Sequence, residues 1–207
     1  MMDTVIFIVV IYLLDLVYDT EQTWTVICVS GVTCGGKSTI TRALHNKYVG
    51  SVLVKQDSYY LKDDDPRQVQ LPHLNWRNRE LMSSIDMERM NKDVSEVISR
   101  NNTSSSILFL DGFMLYYDKT ITSRCDVKFF FVLGKDTCKT RRKKRNRRVP
   151  DIVRYFEEYV WPAHVEYKHT VFREMPDLIL VDGSANNVTI IENMSSEIGK
   201  AVKLKNR

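Results

Sequence analysis

The 207-residue chain reads as an α/β domain, a five-stranded parallel sheet with helices on both faces. Three observations predict it. Short apolar runs alternate with helical patterns past residue 23, the signature of βαβ units. The runs are almost uniformly Val, Ile, Leu or Phe, as strands buried on both faces require. Polar residues follow at least three runs at their carboxyl ends, the edge where open parallel sheets hold ligands.

Strands are expected at 25–30, 51–55, 107–110, 127–133 and 178–181, and helices at 37–48, 86–99, 137–145 and 152–174. Pro162 is expected to kink or break the last helix, because it lacks an N–H donor. Residues 101–106 read as a polar loop. The length suits one domain with a substantial core, taken as 24–207. Residues 1–23 form an apolar extension whose run from Val5 to Leu14 ends at Asp15. That is short of the roughly 20 residues a spanning helix needs, and Asp3 stands where a signal peptide would be positive. An added helix, strand or loosely fixed extension is expected there, against a membrane anchor or targeting segment.

The net charge of +4 is modest, but Lys and Arg concentrate at 141–148, which implies an anionic partner. Cys28, Cys34, Cys125 and Cys138 form no CxxC pair and no metal-ligand spacing with histidine. Reduced thiols and a cytoplasmic location are therefore expected. His45, His73, His164 and His169 also lack ligand spacing and read as surface residues.

Between the first strand and the first helix lies Gly31-Val32-Thr33-Cys34-Gly35-Gly36-Lys37-Ser38, a complete GxxxxGK[ST] loop, followed by Thr39. Its glycines allow backbone N–H groups to turn around nucleotide phosphates, the helix start adds positive potential, Lys37 adds a charge, and Ser38 offers a hydroxyl to Mg²⁺. The loop implies binding of nucleotide phosphates with Mg²⁺, with ATP as the expected cofactor, without defining the reaction or excluding GTP. Asp57, at the end of the second strand, suits a carboxylate that orients an acceptor hydroxyl and takes its proton; a turn cap is the bland alternative. Asp111 ends the third strand, where such enzymes position the metal or its waters. The run Arg141 to Arg148 has two readings, a lid over the transferring phosphate or a nuclear-import or nucleic-acid element.

Taken together, GVTCGGKST, QDSYY, Asn75-Trp76 followed by SIDMERM, LDGFMLY, Cys138 to Arg145, YVWP at Tyr159 to Pro162 and LVDGS at Leu180 to Ser184 resemble the nicotinamide riboside kinases, within the uridine-kinase-like group. The resemblance implies a P-loop nucleoside-kinase-like fold with a basic lid and transfer of the ATP γ-phosphate to a riboside 5′-hydroxyl in NAD salvage. It implies Asp57 as proton acceptor near the metal, with Ser38 and Asp111. Ser58, Tyr59 and Tyr60 would line the riboside pocket, and Trp76 would stack on the base. Arg77 stands where the family carries Asp, so Glu80 is the nearest acid for the ribose hydroxyls. Arg141 and Arg145 would face ATP and Arg142 the riboside, which favours the lid reading; no nucleic-acid or stable membrane partner is expected. Trp161 would pack inward beside Pro162, and Asp182-Gly183-Ser184 would lie at the adenine end. Asp111 for Glu, Arg147 for an aromatic, and Ile152-Val153-Arg154 for Pro-Pro-Gly are further departures. Uridine or cytidine phosphorylation, and a non-catalytic nucleotide-binding or nuclear role, stand as alternatives.

Overall fold

The computed structural model describes residues 24–100, 107–145 and 153–205. The expectations at 1–23, 101–106, Arg147, Arg148 and Ile152 lie outside the described residues. In chain order the first elements are β1 (Thr25–Gly31), α1 (Lys37–Lys47), β2 (Val52–Lys55), β3 (Gln70–Leu71), β4 (Trp76–Arg77) and α2 (Met87–Ile98). Then come β5 (Ile107–Asp111), α3 (Lys119–Arg124), β6 (Val127–Val132), α4 (Lys135–Lys144) and α5 (Val153–Tyr155). The chain closes with α6 (Trp161–Glu174), β7 (Ile179–Asp182) and α7 (Asn187–Lys205).

Five strands form one parallel sheet in the order β2-β5-β1-β6-β7, while β3 and β4 pair as a separate antiparallel hairpin. Every residue of β1 is buried, as expected for a central strand covered on both faces. Its side chains alternate between two cores. Val26 and Cys28 join Met90 and Val94 of α2 and Tyr167 and Val171 of α6. Ile27 and Val29 join Ile40 and Leu44 of α1 and Ile190, Met194 and Ile198 of α7. Between the strands, Tyr116 donates its hydroxyl to the carbonyl of Phe129 at 2.8 Å, and the Tyr167 hydroxyl lies 2.8 Å from Ser30 Oγ. These buried bonds fasten α6 to the end of β1, just before the glycine-rich loop, and the turn after β5 to β6.

The helix expected over 152–174 runs without a break from Val153 to Glu174, with one stretch of wider pitch. After α5 the chain makes a π turn over Phe156–Val160, and α6 starts at Trp161 with Pro162 in its first turn. The wider π turn immediately before Pro162 accommodates a residue that offers no N–H to the preceding turn. Sequence periodicity does not reveal α3, α7 or the β3–β4 hairpin. In α7 the Ser195-Ser196 pair, Gly199 and β-branched residues weaken local propensity. The spacing of four between Ile190, Met194 and Ile198 is the packing that holds it helical.

Two expectations are corrected. Cys28 and Cys125 form a disulfide, with Cα atoms 5.7 Å apart across 97 residues of sequence. Spacing informs only about local pairs, whereas the sheet brings the turn before β6 beside β1. His164 is half-buried, stacked on Phe130 at 6.2 Å and packed against Trp161, not a surface residue. Burial, aided by Lys37 and Lys168, pushes its pKa down to about 4.

Candidate active site

The loop after β1 is shaped by its glycines. Gly31 has φ 117°, and a Cβ there would lie 2.3 Å from the Phe131 carbonyl oxygen, so no larger residue fits. The amide of Val32 donates to that same oxygen at 3.0 Å. Gly31 and Val32 therefore stand behind the cavity that opens above the loop, and Thr33 to Thr39 line it. The α1 helix begins at Lys37 with no side-chain cap and no acidic residue in its first turn. The amides of Thr39 and Ile40 bond the Gly36 carbonyl at 3.0 Å, which leaves those of Lys37 and Ser38 at the helix start, an arrangement suited to an anion.

Lys37 Nζ donates to the carbonyls of Gly31 at 2.8 Å and Val32 at 2.7 Å. Burial lowers its pKa, opposed by the charges of Asp111 and Asp57. Asp111, 4% exposed, has its carboxyl raised by burial, opposed by Lys37 and by a hydrogen bond from Ser38. Asp57 sits on the 3-10 turn Gln56–Tyr59 that follows β2. That turn is fixed by Gln56, whose buried Oε1 accepts the Met114 amide at 3.0 Å. β2 pairs with β5 so that Lys55 is opposite Asp111, which is how two strand ends bring both carboxylates to one cavity.

The cavity has a volume of about 710 Å³ and runs from the phosphate loop to Trp76 and Tyr155. At the far end Tyr155 accepts the Arg79 amide at 2.8 Å and donates to Glu80 Oε1 at 3.2 Å. Trp76 meets the edge of the Tyr155 ring at 6.5 Å. Tyr60 stacks on Phe113 at 5.9 Å, donates to the Arg79 carbonyl at 3.2 Å and lies under the Arg79 guanidinium. Arg77 instead pairs with Asp63.

Two expected pocket residues are elsewhere. The buried Tyr59 donates to Asp93 Oδ2 at 2.8 Å and carries Arg89 over its ring, so it faces α2. Ser58 is exposed, and its carbonyl accepts from Arg89. Neither lines the cavity. Phe113, Arg79, Lys55 and Tyr155 line it without having been expected; only Phe113 carried a local signal, two residues beyond Asp111.

From α4, Arg142 is buried and donates to Thr33 Oγ1 at 3.1 Å, while Arg141 donates to the carbonyls of Gly183 at 2.8 Å and Cys34 at 3.3 Å. Arg145, at the helix end, is exposed on the cavity rim; Lys143 and Lys144 are exposed and not on the cavity wall. Gly183 packs so closely on the loop that a Cβ would lie 2.4 Å from the Gly35 carbonyl oxygen.

A parallel sheet in this order, with the phosphate loop at the end of its central strand, is the fold of the P-loop nucleoside kinases. Solved structures agree. Deoxyadenosine kinase from M. mycoides superposes with a TM-score of 0.57 at 16% identity, covering 85% of this chain and all of that one (100%). A gluconokinase from Sinorhizobium meliloti superposes with a TM-score of 0.54 at 14% identity, covering 88% and 95%. In sequence, the chain is similar to nicotinamide riboside kinases. It is 24% identical to human nicotinamide riboside kinase 2 over 187 residues, 84% of this chain and 80% of that one. It is 28% identical to the nicotinamide riboside kinase of Schizosaccharomyces pombe over 178 residues, 68% and 77% of the two chains. A uridine kinase from Oceanobacillus iheyensis is 24% identical over 210 residues, 87% and 97%. No protein-family model matches the chain.

Proposed function

We propose that this chain transfers the γ-phosphoryl group of ATP to the 5′-hydroxyl of nicotinamide riboside, with nicotinic acid riboside as a second acceptor, and so forms the mononucleotide for NAD salvage in the cytoplasm. The observation that carries the proposal is one cavity with Lys37 and the phosphate loop at one end, Asp57 along its wall, and Trp76, Glu80 and Tyr155 at the other. Similarity to kinases of that name supports the riboside class. Lys37 and the first amides of α1 bind the β- and γ-phosphates. Asp57 orients the acceptor hydroxyl and accepts its proton. Arg142, held against the loop by Thr33, takes up charge developing on the phosphoryl oxygens. Arg141 and Arg145 serve the ATP side, so the basic run acts as a lid and not as a nucleic-acid surface. Trp76 offers an aromatic face to a flat cationic ring, and Glu80 accepts from ribose hydroxyls.

The residues fit Mg²⁺. The donor set is the Ser38 hydroxyl with the Asp57 and Asp111 carboxylates, all hard oxygens on one cavity. Among the described residues no cluster of three or more His, Cys, Asp or Glu is poised for a metal. A small set of this kind suits an ion that takes one or two carboxylates and keeps waters and phosphate oxygens. When bound it would neutralise phosphate charge.

Purified protein given Mg-ATP and a panel of ribosides, with ADP release followed, tests the proposal. Nicotinamide riboside should be preferred. Faster turnover of uridine or cytidine would replace it with a pyrimidine riboside kinase, the reading that the similar uridine kinases favour. No turnover of any riboside would leave a non-catalytic nucleotide-binding protein. Asp57→Asn should keep ATP binding and lose turnover, because the amide preserves shape but accepts no proton.

A further inference from the structure

Two sulfurs meet beneath the phosphate loop. Cys34 holds a left-handed backbone with φ 58°, one of two non-glycine residues among those described that do so. Such a conformation is sterically disfavoured for an L residue, and phosphate binding asks only a backbone amide of this position. The side chain therefore calls for its own account. It lies against Cys138 in the first turn of α4. Cys138 Sγ donates to the Thr33 carbonyl at 3.1 Å and is hydrogen-bonded to the Cys34 side chain, while the Thr33 hydroxyl reaches the Cys34 sulfur at 3.8 Å. Both thiols thus converge on one residue of the loop.

Their surroundings differ. Cys138 is fully buried (0% exposed), and the hydrogen bond with Cys34, together with burial, pushes its thiol well above the usual range. Cys34 lines the open cavity, with its carbonyl held by Arg141. Exposure therefore makes Cys34 the sulfur that meets an oxidant from solvent and Cys138 the one that resolves it.

We propose that Cys34 and Cys138 form a reversible disulfide that ties the phosphate loop to the lid helix and closes the nucleotide site. With a hydroperoxide as oxidant, the Cys34 thiolate attacks the outer oxygen and the O–O bond breaks. The departing oxygen takes the proton released from the thiol and leaves as water or an alcohol, giving Cys34 sulfenic acid. The Cys138 sulfur then attacks the Cys34 sulfur, the S–O bond breaks, and the departing hydroxide takes the Cys138 proton and leaves as water. Two electrons pass from the sulfurs to the peroxide, and a dithiol reductant reverses the step. The cross-link removes the Cys138 bond to Thr33 and draws the loop towards α4, out of the arc in which its amides face a phosphate. This inference uses the loop's nucleotide binding and is independent of the acceptor.

The test treats purified protein with hydrogen peroxide and follows two readouts, peptide linkage by mass spectrometry and ATP binding. Tryptic peptide 136–139, which carries Cys138, should become joined to the fragment ending at Lys37, which the Cys28–Cys125 disulfide already links to peptide 125–128, with a further loss of two hydrogens. That fragment also contains Cys28, so the linkage must persist in Cys28→Ser and vanish in Cys34→Ser. ATP affinity of the oxidised wild type should fall at least about tenfold and return with dithiothreitol. In Cys138→Ser, a sulfenic-acid trap should label Cys34. Absence of the joined peptide once the thiols are consumed, or its formation with unchanged ATP affinity, overturns the proposal. A reduced protein that does not bind ATP would overturn the nucleotide reading instead, and the peptide linkage would still judge the disulfide.

Discussion

The two ends of the cavity are built from different materials. At the phosphate end the parts are consecutive in sequence and mostly backbone: a glycine pressed against β6, a short loop, and the uncapped start of α1. At the acceptor end the walls come from a 3-10 turn, a hairpin of two short strands and α5, joined by side chains far apart in sequence, such as Glu80 with Tyr155 and Trp76 with Tyr155. A backbone site tolerates little change without losing its shape. A side-chain site can be altered one contact at a time, so the phosphate end sets whether the protein transfers phosphate and the acceptor end sets to what.

The largest expected effect falls at the backbone end. Lys37→Ala should lower turnover about a thousandfold or more while circular dichroism stays unchanged, because no other residue of the loop carries a cation to the phosphates. A loss within tenfold would break the distinction. Next, Arg142→Ala should cost about 2–4 kcal/mol in turnover, the usual consequence of removing a group that stabilises transition-state charge. The exposed pair Lys143→Ala with Lys144→Ala should stay within about twofold of wild type, since surface charges of this kind contribute little; equal losses from both variants would turn the lid into a charge patch.

His164 sharpens the comparison at the joint between the two ends, where it lines a small cavity of about 20 Å³ that also touches Thr33 and Glu80. Its folded pKa of about 4 lies below the ordinary 6.5. As pH falls through 6.5 the unfolded chain takes up a proton and the folded chain does not, so stability is full above that value and declines until about pH 4. The loss should approach about 3 kcal/mol by urea unfolding, and His164→Phe should flatten the slope across that window. At the acceptor end, Glu80→Gln should raise the acceptor KM about tenfold with kcat nearly unchanged, since it weakens a hydrogen bond made equally in ground and transition states. A fall in kcat alone would move Glu80 into the chemistry.

The same contrast explains what could be read from the sequence. All five sheet strands were legible, because each is a short apolar run, the central ones buried on both faces and the edge strands β2 and β7 only in part, and their ends moved by only a residue or two. The phosphate loop and the carboxylates Asp57 and Asp111 were legible for the related reason that strand ends in such sheets point to one edge. Tyr59 and Tyr60 illustrate the limit. Adjacent aromatics after a tight turn face opposite ways, and only the contacts with Asp93 and Phe113 decide which enters the cavity. Tyr155 and the Cys28–Cys125 pair were hidden for the same cause, since each depends on a partner about 75 to 97 residues away.

The π turn at Phe156–Val160 gives the acceptor pocket a dependence on counting. Such a turn accommodates one residue more than an α-helical turn. Removing any one residue from it would let α5 run straight into α6, rotating everything before the deletion by about 100° about the helix axis. Tyr155 would swing away from Glu80 and Trp76 with no change in its own identity. Pocket shape in this protein is thus partly a matter of chain length within one turn, so that an insertion or deletion, without any exchange of side-chain chemistry, is a route by which one phosphate-transfer scaffold could come to hold a different acceptor.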